Sequence, residues 1–469
     1  MKHALFLTGI VLFASAAMAD DAPPWSENIL DRPLNFEKLA SQDTAAMELL
    51  ISHGERLFIG KFTTADGAGR PAATQAIVPT KRRRPSPLTF QRLAGLDANS
   101  CASCHHDPVA GAAGDFTTNV FVSEGFESAD FETIDPQFSN ERGTTALQGA
   151  GLIELLAREM TKELRDQRRD VAHLARSTGT AQTIDLSAKG ISFGRLTAHP
   201  DGSLDVHEIE GIDPDLTLRP FSQKGVFTSL RQFTVNALNH HHGIQASERF
   251  GAVWTGTDDF DEDGLAAEIT EGDVSALVVW QATLATPARK QIMPEIWARA
   301  AEKGEQQFGA IGCAQCHVPA LPLDSLIFED PGPYETAGTL RPGDVTDGIH
   351  MDLATLDWVK ALDRDEQGRV LVPLFGDLKR HKIADAAQDR LGNELLSQRF
   401  VPRDEFLTAE LWGVGSTAPY GHRGDLTTLD EVIRAHGGAA TAARKAYETL
   451  PEIERESIIA FLRSLEIPQ

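Results

Sequence analysis

Cysteine is scarce in this 469-residue chain, with four in all, and basic residues are outnumbered: 44 Lys and Arg stand against 68 Asp and Glu, a formal net charge of −24. Four cysteines make at most two disulfides, so a disulfide-built scaffold is excluded. So acidic a chain has no overall field for nucleic acid or an anionic membrane surface. The one contrary stretch, Lys81-Arg82-Arg83-Arg84, reads as a solvated loop rather than a patch for an acidic partner. Long apolar runs are missing too. The longest useful one, Ala4 to Ala17, is shorter than the ~18 residues a spanning helix needs. It follows Lys2 and His3 and precedes Ala17-Met18-Ala19, which together have the three-part form of a signal peptide over residues 1–19, with cleavage before Asp20. The expectation is a periplasmic protein that does not span a membrane, with an oligomeric state that composition leaves open.

The four cysteines fall in two pairs of one spacing. Cys101-Ala102-Ser103-Cys104-His105 and Cys313-Ala314-Gln315-Cys316-His317 both read C-x-x-C-H. On a helical turn, residues i and i+3 face the same way, so both thiols can reach the two vinyl groups of one porphyrin. The histidine at i+4 shares that face and can ligate the iron. A thioredoxin-like pair or half a zinc site would explain one copy. Two copies that use every cysteine of an exported chain point to two covalently bound c-type haems, with His105 and His317 as proximal ligands. His106 lies about 100° further round a helix and is expected to face away.

Each motif has a prelude: Gly54-Glu55-Arg56-Leu57-Phe58 before the first, Gly304-Glu305-Gln306-Gln307-Phe308 before the second. A helix carrying G-x-x-x-F ahead of C-x-x-C-H opens a cytochrome c domain and crosses a C-terminal helix. Ile458, Leu462 and Leu465, at i, i+4 and i+7, mark such a closing helix. The fold class expected is mainly α, two cytochrome c-like haem domains in tandem, residues 20–290 and 291–469, meeting between Pro287 and Pro294. A helix is expected from Ala146 to about Arg169, and a buried one from Asp273. The β-branched stretch 180–211, with its Pro200-Asp201-Gly202 turn, reads as a small β insertion. Asp259, Asp261 and Asp263 with Gly264 match the first six positions of a calcium loop, so residues 259–271 are a candidate Ca2+ site; the twelfth position is Thr270, flanked by Glu268 and Glu271. The competing reading is a solvated acidic turn.

With these features in view, the chain resembles the bacterial di-haem peroxidase superfamily, and within it the di-haem oxidoreductase branch that carries the label thiol oxidoreductase. The resemblance rests on "FLTAELWGVGSTAPYGHRGDLTTLDEVIRAHGG", residues 406–438, and on "LNHHHGIQASERFG", residues 238–251. It implies that the haem at Cys101/Cys104 meets peroxide or substrate and that the haem at Cys313/Cys316 relays electrons to it. The peroxidases present a methionine to the relay haem where this chain has His436, so His436 is the expected sixth ligand there, with Met351 as rival. A glutamate after the first haem serves these peroxidases as acid–base group; Glu154 is the candidate, with Gln148 as hydrogen-bonding neighbour and Glu159 nearby. One of His240, His241 and His242 is the other candidate for the distal face, and would close it. Trp280 and Trp254 are candidates for an electron conduit, or simply core. The expected function is a peroxidase-like di-haem oxidoreductase served by a redox partner, a small cytochrome or cupredoxin. The alternatives are a non-catalytic electron-transfer cytochrome and a peroxide-driven enzyme acting on a partner protein.

Overall fold

The glycine of each prelude lies where two helices touch. Thr44–Ile59 crosses Glu271–Thr283, and a Cβ on Gly54 would stand 2.0 Å from the Ala276 carbonyl oxygen. Glu295–Ala310 crosses Glu452–Leu462 in the same way, and a Cβ on Gly304 would stand 1.8 Å from the Ser457 oxygen. Only glycine lets backbones approach this closely. One turn further on, Phe58 and Phe308 are buried with their rings 6.2 Å from those of His105 and His317, at interplanar angles of 54° and 50°. The prelude is therefore a crossing point plus an aromatic floor for the histidine that follows.

The computed structural model describes residues 25–39, 44–69, 99–122, 139–394 and 398–467. The expected signal peptide and the Lys81–Arg84 run lie outside these. The chain is mainly helical with small sheets of two or three strands. Among the described residues, no helix is long and apolar enough to cross a membrane. Ala150–Thr178 begins at Gly149, which has a φ of +74°, and a Cβ there would stand 2.3 Å from the Trp412 ring; both features require glycine. The sheet Gln182–Ala188, Ile191–Ala198 and Leu204–Asp205 is antiparallel and packs Leu186, Phe193 and Leu196 into the core, within the expected β insertion. The closing helix ends at Leu462; Leu465 sits instead in a short strand, Leu465–Glu466, paired with Ala288–Arg289.

Two cores result. The larger surrounds Glu271–Thr283, whose Thr270 side chain caps it reciprocally with Asp273 and which is buried on all sides. The smaller surrounds Phe308, Tyr447, Ile458 and Phe461. The cores do not divide at 290/291. Leu321, Leu323, Phe328, Ile349, Met351 and Val370 follow that point in sequence yet pack in the larger core. The fully buried Arg231 is one reason. It donates to Asp330 (2.8 Å) beyond the expected boundary, and to Glu248 (2.7 and 2.9 Å) and Ser275 (2.8 Å) before it. A buried charge needs such a complete set of partners, and here the set draws later residues onto the first half.

Candidate active site

Both C-x-x-C-H segments form the turn their spacing demands. The N–H of His105 donates to the Cys101 oxygen (3.0 Å) and that of His317 to the Cys313 oxygen (3.1 Å). None of the four cysteines is in a disulfide. Burial, with Cys104 beside it, pushes the Cys101 thiol up to about 12, and burial pushes Cys313 up to about 11. Thiols held protonated in this way are poor nucleophiles, which disfavours a working dithiol couple. Cys316, Asp377 and His381 bring ligand atoms within 4.8 Å of one another. These are three donors where a structural zinc takes four, and Asp377 (2.7 Å) engages His381. His106 is exposed and lies against Phe116, as the spacing predicts.

The histidines of the two motifs are oriented alike. A carbonyl can only accept, so Nδ1 of His105 donates to Ala112 O (3.2 Å) and Nδ1 of His317 donates to Phe375 O (3.2 Å). Each Nε2 is thereby left with its lone pair for a metal. Gln148 supports this from behind. With its carboxamide nitrogen toward Gly111 O (3.1 Å) and its oxygen toward Ala112 N–H (3.2 Å), it braces the loop that supplies the carbonyl. The sequence reading put Gln148 beside a distal acid; the structure puts it behind His105.

A cavity opens at the first motif, lined by Cys101, Cys104, His105 and Phe58, by Leu277 and Gln281 of the buried helix, and by His240, His241 and His242. The histidines lie on a π-helical stretch, Leu238–His242, which ends at Gly243 with φ +69°. This rare geometry recurs at functional sites. His241 lies near His105. Burial and the neighbouring His105 push it down to about 4, so its ring is neutral, and its buried Nδ1 has no hydrogen-bond partner.

At the second motif, burial and then His436 push His317 down to about 4. His436 follows the helix Leu429–Ala435; burial lowers it too, and its Nδ1 donates to Val432 O (2.6 Å). Its Nε2 is thus left as a ligand atom. Met351 belongs to the Ile349–Asp352 strand of the larger core, opposite Phe328, while the second motif packs with the smaller.

Glu154 does not line the cavity. It is buried, ion-paired with Arg158 (2.5 Å), and accepts the N–H of Leu230 (2.8 Å) at the head of the helix Leu230–Ala237. Its shape is that of a helix-capping carboxylate. Glu159 accepts from Asp324 and Ser325 and pairs with Lys189. Trp280 is buried, its ring 4.4 Å from that of Phe58, whereas Trp254 is half exposed. Near Glu154, burial and then Glu154 itself push Glu335 up to about 8; Ser229 donates to it at 2.8 Å, and Arg231 and Asp330 also face it. The folded state therefore keeps a proton that the unfolded state loses near the ordinary glutamate value. Stability should fall as pH rises from about 4.5 toward 8, by up to ~1.4 kcal/mol per unit. Glu335→Gln should flatten that slope, measured by denaturant unfolding at about pH 5 and about pH 8; an unchanged slope would refute it.

Asp259, Asp261 and Asp263 converge as a potential cation group. Glu268 joins them: burial and the three aspartates push it up to about 10, and its other tie is the N–H of Gln245 (2.7 Å). The sequence reading had Glu268 only as a flank of the twelfth position; it stands at loop position ten. His241 was one of three equivalent candidates in sequence. Trp412 went unnoticed there, having no periodic signal.

Residues 357–465 match the family described as "Di-haem oxidoreductase, putative peroxidase". Comparison with curated proteins gives no match. Among solved structures, a hydrazine synthase chain of Kuenenia stuttgartiensis aligns at 12% identity and TM-score 0.37, covering 98% of this chain and 100% of that one. A MauG-like protein associated with microbial copper homeostasis aligns at 14% identity and TM-score 0.30, covering 57% of this chain and 77% of that one. At these values neither likeness carries functional weight.

Proposed function

Residues 357–465 being di-haem oxidoreductase sequence, we propose that the chain is a periplasmic, peroxidase-like oxidoreductase with two covalently bound c-type haems. Cys101 and Cys104 would hold one beneath His105, and Cys313 and Cys316 the other beneath His317. The first site is the reactive one, and the second, closed by His436, relays electrons from a small redox protein. Bound at the first site, iron porphyrin supplies one-electron chemistry and a coordination position for peroxide.

One asymmetry carries this reading. Three of the four histidines, His105, His317 and His436, have Nδ1 anchored on a backbone carbonyl, and His241 has no partner there. An anchored imidazole keeps its ligand position. His241 is held by packing alone, beside a roomy cavity. Its neutral Nε2 can ligate at rest and, once swung aside, accept a proton from an incoming oxidant. A second reading, a plain electron-transfer cytochrome, is favoured by the same histidine if it never leaves; the response of the first haem's paramagnetic spectrum to peroxide separates the two. The haem assignment itself is tested by mass spectrometry of the denatured chain from a periplasmic fraction. The expected result is two added haem masses, reduced to one by Cys101→Ala with Cys104→Ala. A chain without covalent haem would refute it.

The carboxylates Asp259, Asp261, Asp263 and Glu268 are proposed to hold Ca2+, whose hard oxygen-ligand preference they match. Calcium at about a hundred times its Kd should raise stability by ~2.7 kcal/mol, and Asp261→Asn should abolish the gain. Equal unfolding midpoints with calcium and with a chelator would leave the acidic turn as a solvated loop.

A further inference from the structure

We propose that Arg142 seats a carboxylate at the wall of the first cavity, and that this carboxylate is a propionate of the haem; the inference rests on the haem reading above. Arg142 lines the cavity and is 6% exposed. Its Nη1 is ion-paired with Glu394 (2.5 Å) and donates to the Glu141 oxygen (2.9 Å), while its buried Nη2 has no hydrogen-bond partner. Unpaired buried guanidinium donors are rare and costly, and call for a ligand.

Charged groups of both signs surround it. Arg142, Lys224 and Arg423 meet Glu394 and Glu141. Lys224, fully buried, lies 3.5 Å from Glu394 and donates to the carbonyls of Pro402, Arg403 and Glu405. Arg423 donates to Glu141 (2.8 Å), and its Nη1 is again buried without a partner. His422 adds no charge, because burial and the three cations hold it well below its ordinary value. Asp404 also faces Lys224 and is itself paired with Lys382 (2.8 Å), so the spare guanidinium edge of Arg142, rather than a count of charges, is what calls for an anion. A planar guanidinium with a spare edge is the group best matched to a carboxylate. A c-type haem brings two, on the porphyrin edge remote from its thioethers.

The cluster also joins the two halves of the sequence. Glu394, His422 and Arg423 belong to the segment 357–465, and the His422 oxygen accepts the N–H of Gly143, another residue of the cavity wall. The "APYGHRG" stretch of the C-terminal half thus reaches the first site, and its charges would set the potential there.

The test is a redox titration of the holoprotein, with each haem followed by its own spectrum and haem counted by pyridine haemochrome. Removing a positive charge beside a haem makes the electron harder to add. Arg142→Gln should therefore shift the first haem's midpoint potential downward, Arg142→Lys should shift it less, and Glu394→Gln should shift it upward. The second haem should stay put in all three. Opposite signs from adjacent residues separate electrostatic seating from loosened packing. Formate, titrated into wild type, should leave the first haem's spectrum unchanged. Saturable formate binding that Arg142→Gln abolishes, with potentials unmoved, would overturn the propionate assignment in favour of an exchangeable carboxylate. Unmoved potentials without formate binding, or shifts of one sign in both variants, with two haems retained, would overturn the seat altogether. A wild type without two haems would instead overturn the haem reading.

Discussion

His436→Ala should convert the second haem, and only the second, from a low-spin to a high-spin ferric spectrum. His436 is buried, lies close enough to His317 to depress its protonation, and presents Nε2 because Nδ1 is committed to Val432 O at 2.6 Å. Alanine leaves no donor in its place; Met351, the rival thioether, sits in the other core. Loss of a histidine ligand opposite a histidine should also raise that haem's potential, since imidazole favours the ferric state. Relay of electrons to the first site should then fail, so donor-driven turnover should drop by roughly tenfold or more, about 1.4 kcal/mol of barrier. If the second haem keeps its low-spin spectrum in the variant, the assignment of His436 is wrong.

The second large effect is expected at His241. It has no partner on Nδ1, and its ring is held neutral by burial and by His105. His241→Ala should leave the first haem high-spin at rest and let cyanide bind it roughly tenfold faster or more than in wild type, about 1.4 kcal/mol off the barrier. The second haem should be indifferent. The same variant should lose part of its rate with peroxide if Nε2 also receives the proton. Cyanide binding no faster than in wild type would remove His241 from the distal face.

These outcomes differ in how far the sequence foretold them. The turn of each C-x-x-C-H segment was legible because the requirement is local: five residues, one turn. The glycine and phenylalanine of each prelude were legible as a repeat, although the repeat alone did not say that Gly54 and Gly304 are where helices touch. His241 was not separable from His240 and His242: all three line the cavity, on a π-helical turn that periodicity does not announce. Glu154 illustrates the opposite failure. A glutamate in the expected segment looked catalytic, yet its carboxylate is spent on Arg158 and the Leu230 N–H. Nor did motif order reveal that residues beyond 290 complete the larger core, since Arg231 and Asp330 find each other only in three dimensions.

The central claim is that the first site opens and the second stays closed. The most direct measurement is an electron paramagnetic resonance spectrum of the holoprotein, taken fully oxidised, after one-electron reduction, and again on adding peroxide. The account predicts two low-spin ferric haems at rest, a change confined to the first haem on reduction, and reoxidation by peroxide through that haem. Two low-spin haems unaffected by peroxide, even after reduction, would contradict it and leave a plain electron-transfer cytochrome.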